Sequence, residues 1–522
     1  MRRALAGLCS LGLLAAGAVE TGARAGDVVP VTRRGVITSF DGTPIVYNLM
    51  EPPDASASHR VPTILRAHGW GAAGETPSFL SSASRALLAA DYAVLSWDAR
   101  GFGQSGGLAD VDDPAHEGRD ASALIDKVVA TRSELAADAI GPIVGMSGES
   151  YGGAIQMATA AFDKRVRALA PEVTWNDLRY SLFPHGVIKF GWAQLLYGAG
   201  LAWGAGTHAT PSGTAGTQTG GYDPMIHWAE VEGALQGYVS DSTRGWFGAR
   251  SLAGYGAGHT LPPTLLMQGS VDTLFNLNDA WANDRQIAAR GAKVKLIAFC
   301  GGHVACPPGY SDGGVRRFMD TQIVTWFDEY LRRGRADSLP PVTWYDQNGH
   351  RSALSAFPTL AVPGPATYVS ARVSGTLVSH GAATSAGPQS ALDPVVSDGV
   401  APPTDPGSIT VPVLAAGRSA VDVVGEPHAD LDVTIDGPGV HLFFKLVDRE
   451  ANQVVDLQAE SLRLGGLVPL TQRVGLDLVG VTYALPAGHH LDLQISTSSA
   501  AHVSYRGTAV VHVSGTVRVP TI

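Results

Sequence analysis

The strongest chemical signal in the chain is Gly148-Glu149-Ser150-Tyr151-Gly152, a serine with glycines two places before and two places after it. A sharp strand-to-helix turn brings backbones too close for a Cβ at those glycine positions, and it leaves the serine Oγ exposed at the end of a sheet. Such a serine is a nucleophile only if a base takes its proton and an acid orients the base. Both follow in chain order, each after an apolar run. Thr264-Leu-Leu-Met-Gln-Gly269 leads to Asp272, and Val294-Lys-Leu-Ile-Ala-Phe299 leads to His303. Alone, Asp272 reads as a turn or cap aspartate and His303 as a loop histidine; the strand context at all three positions makes Ser150, His303 and Asp272 the expected triad. Gly103-Gln-Ser105-Gly-Gly107 fits the same short pattern, but acidic loop residues follow it where a helix is needed, so Ser105 reads as structural. His185, His208, His227 and His259 precede Asp272 and fit the order less well.

Acyl transfer also needs N–H donors aimed at the developing oxyanion. The expected donors are the backbone N–H of Tyr151, next after the serine, and that of Trp70 in the loop His68-Gly69-Trp70-Gly71. The His68 side chain reads as structural. Cys300 and Cys306 bracket His303 and are expected to form a disulfide in an exported protein. A zinc site there would have only Cys300, His303 and Cys306 to draw on, so no metal is expected. The acidic group Asp110, Asp112, Asp113 and Glu117 has a calcium reading, but a solvated turn entering a helix is favoured.

The elements that must position these residues are legible from periodicity. Pro62–His68, Tyr92–Trp97, Pro142–Gly145, Thr264–Met267 and Val294–Phe299 read as buried strands. Ser81–Ala90, Arg119–Thr131, Gly153–Phe162, Ala280–Ala289 and Arg316–Arg332 read as helices. This alternation predicts an α/β fold with a mostly parallel sheet. From Trp175 to about Gly258 no strand is apparent, and Trp175, Trp192, Trp203, Trp228 and Trp246 are spread around a Gly/Thr/Ser-rich stretch at Gly204–Gly221. That interval is expected to be a helical cap whose tryptophans mainly pack its own core, one or two of them lining a substrate pocket. Beyond about Pro340, alternation of period two predicts a β-sandwich, with strands near Ala366–Val373, Leu431–Ile435, Val440–Val447, His490–Ile495 and Ala509–Val517. Ser379–Pro412 reads as a long surface loop. The expected division is a signal peptide at 1–25, a catalytic domain at 26–345 with the cap at about 175–258, and the β-domain at 346–522.

Composition narrows the partners. The chain has 522 residues and a net charge of -10, with a pI near 5.9, so it has no basic field for nucleic acid or an anionic membrane. Met1-Arg2-Arg3, the uncharged apolar run Ala4–Val19 and Ala23-Arg24-Ala25 form an export signal with a cleavage site. The apolar run is too short to span a bilayer, and lipidation at Cys9 is not expected. A secreted or periplasmic location follows.

Taken together, Gly148-Glu-Ser-Tyr-Gly-Gly153, the following Asp163-Lys-Arg-Val-Arg-Ala168, the helical insertion, Asp272, His303, Val440-His-Leu-Phe-Phe-Lys-Leu446 and Leu485-Pro-Ala-Gly-His-His-Leu-Asp-Leu493 resemble the X-Pro dipeptidyl-peptidase and cocaine-esterase family of serine hydrolases. The resemblance implies an α/β-hydrolase domain with a helical cap and a galactose-binding-like jelly roll. It also implies cleavage of Xaa-Pro amides, acyl esters or side-chain acyl amides without a cofactor. Cocaine esterases place a tyrosine hydroxyl in the oxyanion hole from the loop after the early strand. Here His68-Gly-Trp-Gly-Ala-Ala-Gly74 has no tyrosine, and the backbone donors are retained. A free substrate amine, as in an Xaa-Pro dipeptide, would need a carboxylate, for which Glu149, Asp177, Asp223 and Glu230 are candidates. The alternative is a non-catalytic exported protein that binds carbohydrate or an adhesion partner on a hydrolase scaffold; an intact triad argues against it.

Overall fold

The computed structural model describes residues 28–204, 221–255, 260–303, 306–307, 309–334, 336–380, 397–465 and 470–522. The expected signal peptide, Cys9, His208, His259 and most of the Gly204–Gly221 stretch lie outside them. One ten-stranded sheet organises the first part of the chain. Its strands are β1 (Val31–Thr38), β2 (Pro44–Glu51), β3 (Thr63–Ala67), β4 (Ala93–Trp97), β5 (Val144–Glu149), β6 (Val166–Glu172), β7 (Thr264–Gly269), β8 (Val294–Phe299), β9 (Val342–Tyr345) and β10 (Arg351–Leu354). They lie in the order β1-β2-β4-β3-β5-β6-β7-β8-β9-β10. Pairing from β4 through β9 is parallel, and antiparallel strands close both edges. Every residue of β3, β4 and β7 is buried, as expected for a parallel sheet covered on both faces. The last strand, β10, lies beyond residue 345.

The covering helices are α1 (Ser82–Ala89), α2 (Glu117–Leu124), α3 (Tyr151–Ala160), α4 (Leu178–Leu182), α5 (Phe190–Gly204), α6 (Pro224–Gln236), α7 (Asp241–Gly248), α8 (Leu277–Ala289) and α9 (Val315–Arg332). Ser81, Asp223, Ser240 and Asn276 cap the helices that follow them by accepting from backbone N–H groups. Between β6 and β7 the chain forms α4 to α7, and no strand occurs there among the described residues. This is the expected cap.

The later residues form two facing antiparallel sheets. One has Thr367–His380, Thr508–Thr521, His428–Asp436 and Leu470–Asp477, in that order. The other is built on Ser408–Ala415, His490–Ser496 and Gly439–Asp448. Leu431, Val433, Phe444, Leu493, Val511 and Val513 meet in the core between them. This is an α/β-hydrolase fold joined to a C-terminal β-sandwich. One expectation is corrected: Ser379–Pro412 is not loop throughout, because Ser408–Ala415 is a strand paired with His490–Ser496, its register shifting between Pro412 and Leu414. Ile409, Thr410 and Val411 are β-branched and suit a pleated surface, and Pro412 sits at the irregularity, where a missing N–H is tolerated.

Candidate active site

Ser150 stands between β5 and α3 with φ 57° and ψ −118°, a conformation that costs a non-glycine residue strain and is found where a site is preorganised. The turn is possible because its neighbours lack side chains. A Cβ on Gly148 would lie 2.6 Å from the Ala67 and Gly152 carbonyl oxygens, and one on Gly152 would lie 2.3 Å from Ala67 O. The Ser150 N–H donates to Glu172 O at 2.8 Å, and the Thr174 hydroxyl donates to Ser150 O at 3.0 Å. The nucleophile's main chain is therefore tied to β6, and its position at the N-terminus of α3 adds positive potential.

Ser150 Oγ lies 2.8 Å from His303 Nε2, and His303 Nδ1 lies 2.9 Å from Asp272 Oδ2. Asp272 is fully buried. Its Oδ1 accepts from the Leu274 and Phe275 N–H groups at 2.9 and 3.0 Å, and its Oδ2 also accepts from Gln268 Nε2 at 3.3 Å. These bonds aim the free Oδ2 lone pair at the imidazole. Trp192 and Phe275 pack edge-on against the His303 ring, with centroids 5.3 and 5.1 Å away. Cys300 and Cys306 are joined in a disulfide around the histidine loop, so neither thiol is free to ligate zinc.

Ser150 and Tyr151 open onto a cavity of about 630 Å³, a size suited to a small organic ligand. Its walls are largely apolar: Trp175, Leu178, Phe183 and Ile188, then Leu196 and Tyr197 from α5, Ile226 and Ala229 from α6, and Phe247. A further wall comes from the β-sandwich, through Ser499 and the stretch His502–Ser504 with Arg506. The sequence offers no signal for that wall, since Ser499–Arg506 is a short irregular segment some 350 residues after the nucleophile.

Trp70 also lines this cavity, and a Cβ on Gly69 would lie 3.8 Å from Ser150 Cβ, so the loop abuts the nucleophile. The Trp70 indole N–H is engaged by Leu196 O at 3.0 Å, and its ring stacks on Tyr222. The side chain at this position is therefore a prop, and only its main chain can serve an oxyanion. His68 is structural: its Nε2 accepts from the Ala99 N–H at 3.0 Å, its Nδ1 lies 2.7 Å from Gly69 O, and burial pushes it below the ordinary histidine value. Ser105 is buried, donating to Asp98 O at 2.6 Å and accepting from the Val46 N–H at 2.8 Å.

Of the four carboxylates considered for a substrate amine, only Glu230 lines the cavity, where Gln194 Nε2 donates to it at 2.7 Å. Glu149 is bonded by Arg66 at 2.8 Å, Asp177 caps α4 and pairs with Arg179, and Asp223 caps α6.

The acidic group corrects another expectation, for it is not a solvated turn. Asp110, Asp112 and Glu117 are buried. Arg250, from the end of the cap, donates to Asp110 at 2.6 Å and pairs with Asp113 at 3.1 Å, supplying the positive charge locally missing from the sequence. Glu117 accepts from the Asp110 and Asp113 N–H groups and from the Tyr151 hydroxyl at 3.1 Å. Burial pushes its carboxyl up to about 8.

Residues 41–305 match the X-Pro dipeptidyl-peptidase (S15) family. The chain belongs to that family. Membership makes it a hydrolase acting on esters or peptides, with a small-molecule ester or peptide as its class of substrate. Solved structures of similar fold include an aminopeptidase from a marine sediment Thaumarchaeota archaeon (15% identity, 96% of this chain and 98% of that one, TM-score 0.68). An α-amino acid ester hydrolase is similar at 16% identity, over 96% and 98% of the two chains, with a TM-score of 0.70. A CocE/NonD family hydrolase from Staphylococcus aureus is similar at 15% identity, over 94% of each chain, with a TM-score of 0.65. A search of curated protein sequences finds no match. No helix among the described residues of this S15 hydrolase is long and apolar enough to cross a membrane.

Proposed function

We propose that this S15 hydrolase is exported and cleaves a small acyl ester or amide through a covalent acyl-enzyme on Ser150. The observation that carries the reading is the unbroken chain of Ser150 Oγ, His303 and Asp272 contacts, 2.8 and 2.9 Å long, with Ser150 lining a largely apolar cavity. His303 Nε2 takes the hydroxyl proton as Oγ attacks the substrate carbonyl carbon. Asp272 holds the imidazole so that Nε2 faces the serine, and stabilises the imidazolium. The main-chain N–H groups of Tyr151 and Trp70 bind the oxyanion. Collapse expels the alcohol or amine, which receives the proton from His303. Water then enters, loses a proton to the same nitrogen and releases the acid, restoring Ser150.

The Cys300–Cys306 disulfide supports an oxidising compartment, in keeping with the N-terminal export signal. A largely apolar cavity of this size suits short aryl esters and Xaa-Pro anilides better than folded protein. The test is fluorophosphonate labelling with peptide mapping of the label, alongside turnover of short aryl esters, Xaa-Pro anilides and casein. Label on Ser150 with ester or anilide turnover is expected. Internal cleavage of casein, with both small substrates untouched, would overturn the reading.

A further inference from the structure

The loop that carries Asp272 is held from three directions. Within the hydrolase, Gln268 Nε2 donates to Phe275 O at 2.5 Å and the Ser270 N–H donates to Phe299 O at 2.7 Å. From the cap, Trp192 Nε1 donates to Thr273 Oγ1 at 2.9 Å and Lys189 Nζ donates to Leu274 O at 2.8 Å. The third hold comes from the β-sandwich. Gln458 lies between the helical turn Val455–Leu457 and the strand Glu460–Gly465. Its side-chain amide Nε2 donates to Ser270 O at 2.8 Å and to Asp272 O at 3.0 Å. Both amide protons are thus spent on main-chain carbonyls of the acid loop, one of them the carbonyl of Asp272 itself. Gln458 is only 5% exposed, so solvent cannot replace these donors, and losing them would leave two buried acceptors unpaired.

We infer that Gln458 is a positioning residue of the hydrolytic reaction, through which the β-sandwich fixes the main chain of Asp272 and hence the direction of its carboxylate toward His303. The inference rests on the triad reading above. It assigns the β-sandwich a part in catalysis beyond lining the pocket, and it separates Gln458 from a residue that merely glues two domains. A glue residue is spent anywhere on the interface; Gln458 is spent on the one peptide segment whose displacement rotates the acid. An acid turned away from the imidazole stabilises the imidazolium less, so the base would protonate at lower pH. A misplacement of about 1 Å at such a group can cost turnover on the order of a hundredfold.

The experiment compares the full-length protein with Gln458→Met, which keeps the length of the side chain and removes both donors, and with Gln458→Glu, which sets a carboxylate against two carbonyl oxygens. Thermal unfolding, kcat and KM for a short aryl ester, the pH profile of kcat/KM and the downfield proton signal of the imidazole–carboxylate bond are recorded for each. Gln458→Met is expected to unfold within a few degrees of the parent and to lose roughly tenfold in kcat with KM changed less than twofold. It should also move the acid limb of its pH profile to lower pH and weaken the downfield signal; Gln458→Glu should lose more in kcat. Folded variants whose kcat, pH profile and proton signal all match the parent would overturn the inference. Loss of folded protein in both variants would also overturn it, because Gln458 would then support the fold and not the acid. Failure of the triad reading shows separately, as turnover that survives Ser150→Ala.

Discussion

The Trp192 indole stands edge-on to the His303 imidazole, with centroids 5.3 Å apart and planes at 75°, while its Nε1–H reaches 2.9 Å across to Thr273 Oγ1. One cap residue thus touches both His303 and the loop that carries Asp272. Trp192→Phe keeps a ring against His303 and removes the bond to Thr273. Steady-state kinetics on a short aryl ester should show kcat reduced about tenfold with a small change in KM, since geometry in the reacting group matters more than binding area. A variant with unchanged kcat would show that the cap does not help hold the acid loop.

Ser150→Ala is expected to abolish turnover, a loss that reaches roughly 10⁶-fold in kcat in comparable triads. Ser105→Ala should leave kcat within a few fold, because Ser105 spends its hydroxyl on Asp98 O and Val46 N–H and not on the imidazole. Its cost should appear as lower stability, of about 1–3 kcal/mol for the buried partners left unpaired. Kinetics and chemical denaturation of the two variants, side by side, decide the matter.

The Cys300–Cys306 bridge closes a short loop around His303. Its contribution to global stability should be modest, on the order of 2 kcal/mol from loop closure, while its effect on activity should be larger, because the base sits inside the loop. Cys306→Ser, or mild reduction of the parent, should lower kcat severalfold with little change in far-UV circular dichroism. Non-reduced peptide mapping should recover the linked pair from protein folded under oxidising conditions; two free thiols would contradict the structure.

Glu117 links pH to stability. Its carboxyl is pushed from 4.5 up to about 8, chiefly by burial, so the folded protein holds a proton that the unfolded chain releases. The resulting stabilisation is complete below pH 4.5 and is lost as pH rises toward 8. The loss runs at about 1.4 kcal/mol per unit near pH 6 and about half that near pH 8, on the order of 2 kcal/mol over the interval. Glu117→Gln keeps an acceptor for the backbone and cannot ionise. Denaturation measured between pH 6 and 9 should show a flatter decline for the variant than for the parent. Parallel declines would mean that Glu117 is ionised throughout.

The meeting of Ser150, Asp272 and His303 is legible because each follows a strand, and strands ending in Gly269 and Phe299 are visible as apolar runs bounded by small residues. β6 is harder to see: it carries Arg167 and ends in Pro171-Glu172, so its burial is dictated by β5 and β7 on either side and not by its own composition. The acidic group is opaque for a related reason. Four carboxylates close in sequence look solvated until Arg250, 140 residues on, is brought against Asp110 and Asp113. The β-sandwich wall of the cavity and the Gln458 contacts depend wholly on how two layers dock. No local pattern encodes such docking, and polar residues in short connections carry no periodicity to betray it.

The contribution of Ser499–Arg506 to the cavity wall also sets a timetable. During synthesis Ser150, Asp272 and His303 are all present once residue 303 has emerged, yet the cavity stays open on one side until about two hundred further residues have followed and folded back. A chain that has reached only residue 303 therefore has all three of these side chains but lacks one wall of the cavity. Enclosure of the cavity therefore lags behind the assembly of Ser150, Asp272 and His303 along the chain, by the whole span of sequence between His303 and Ser499.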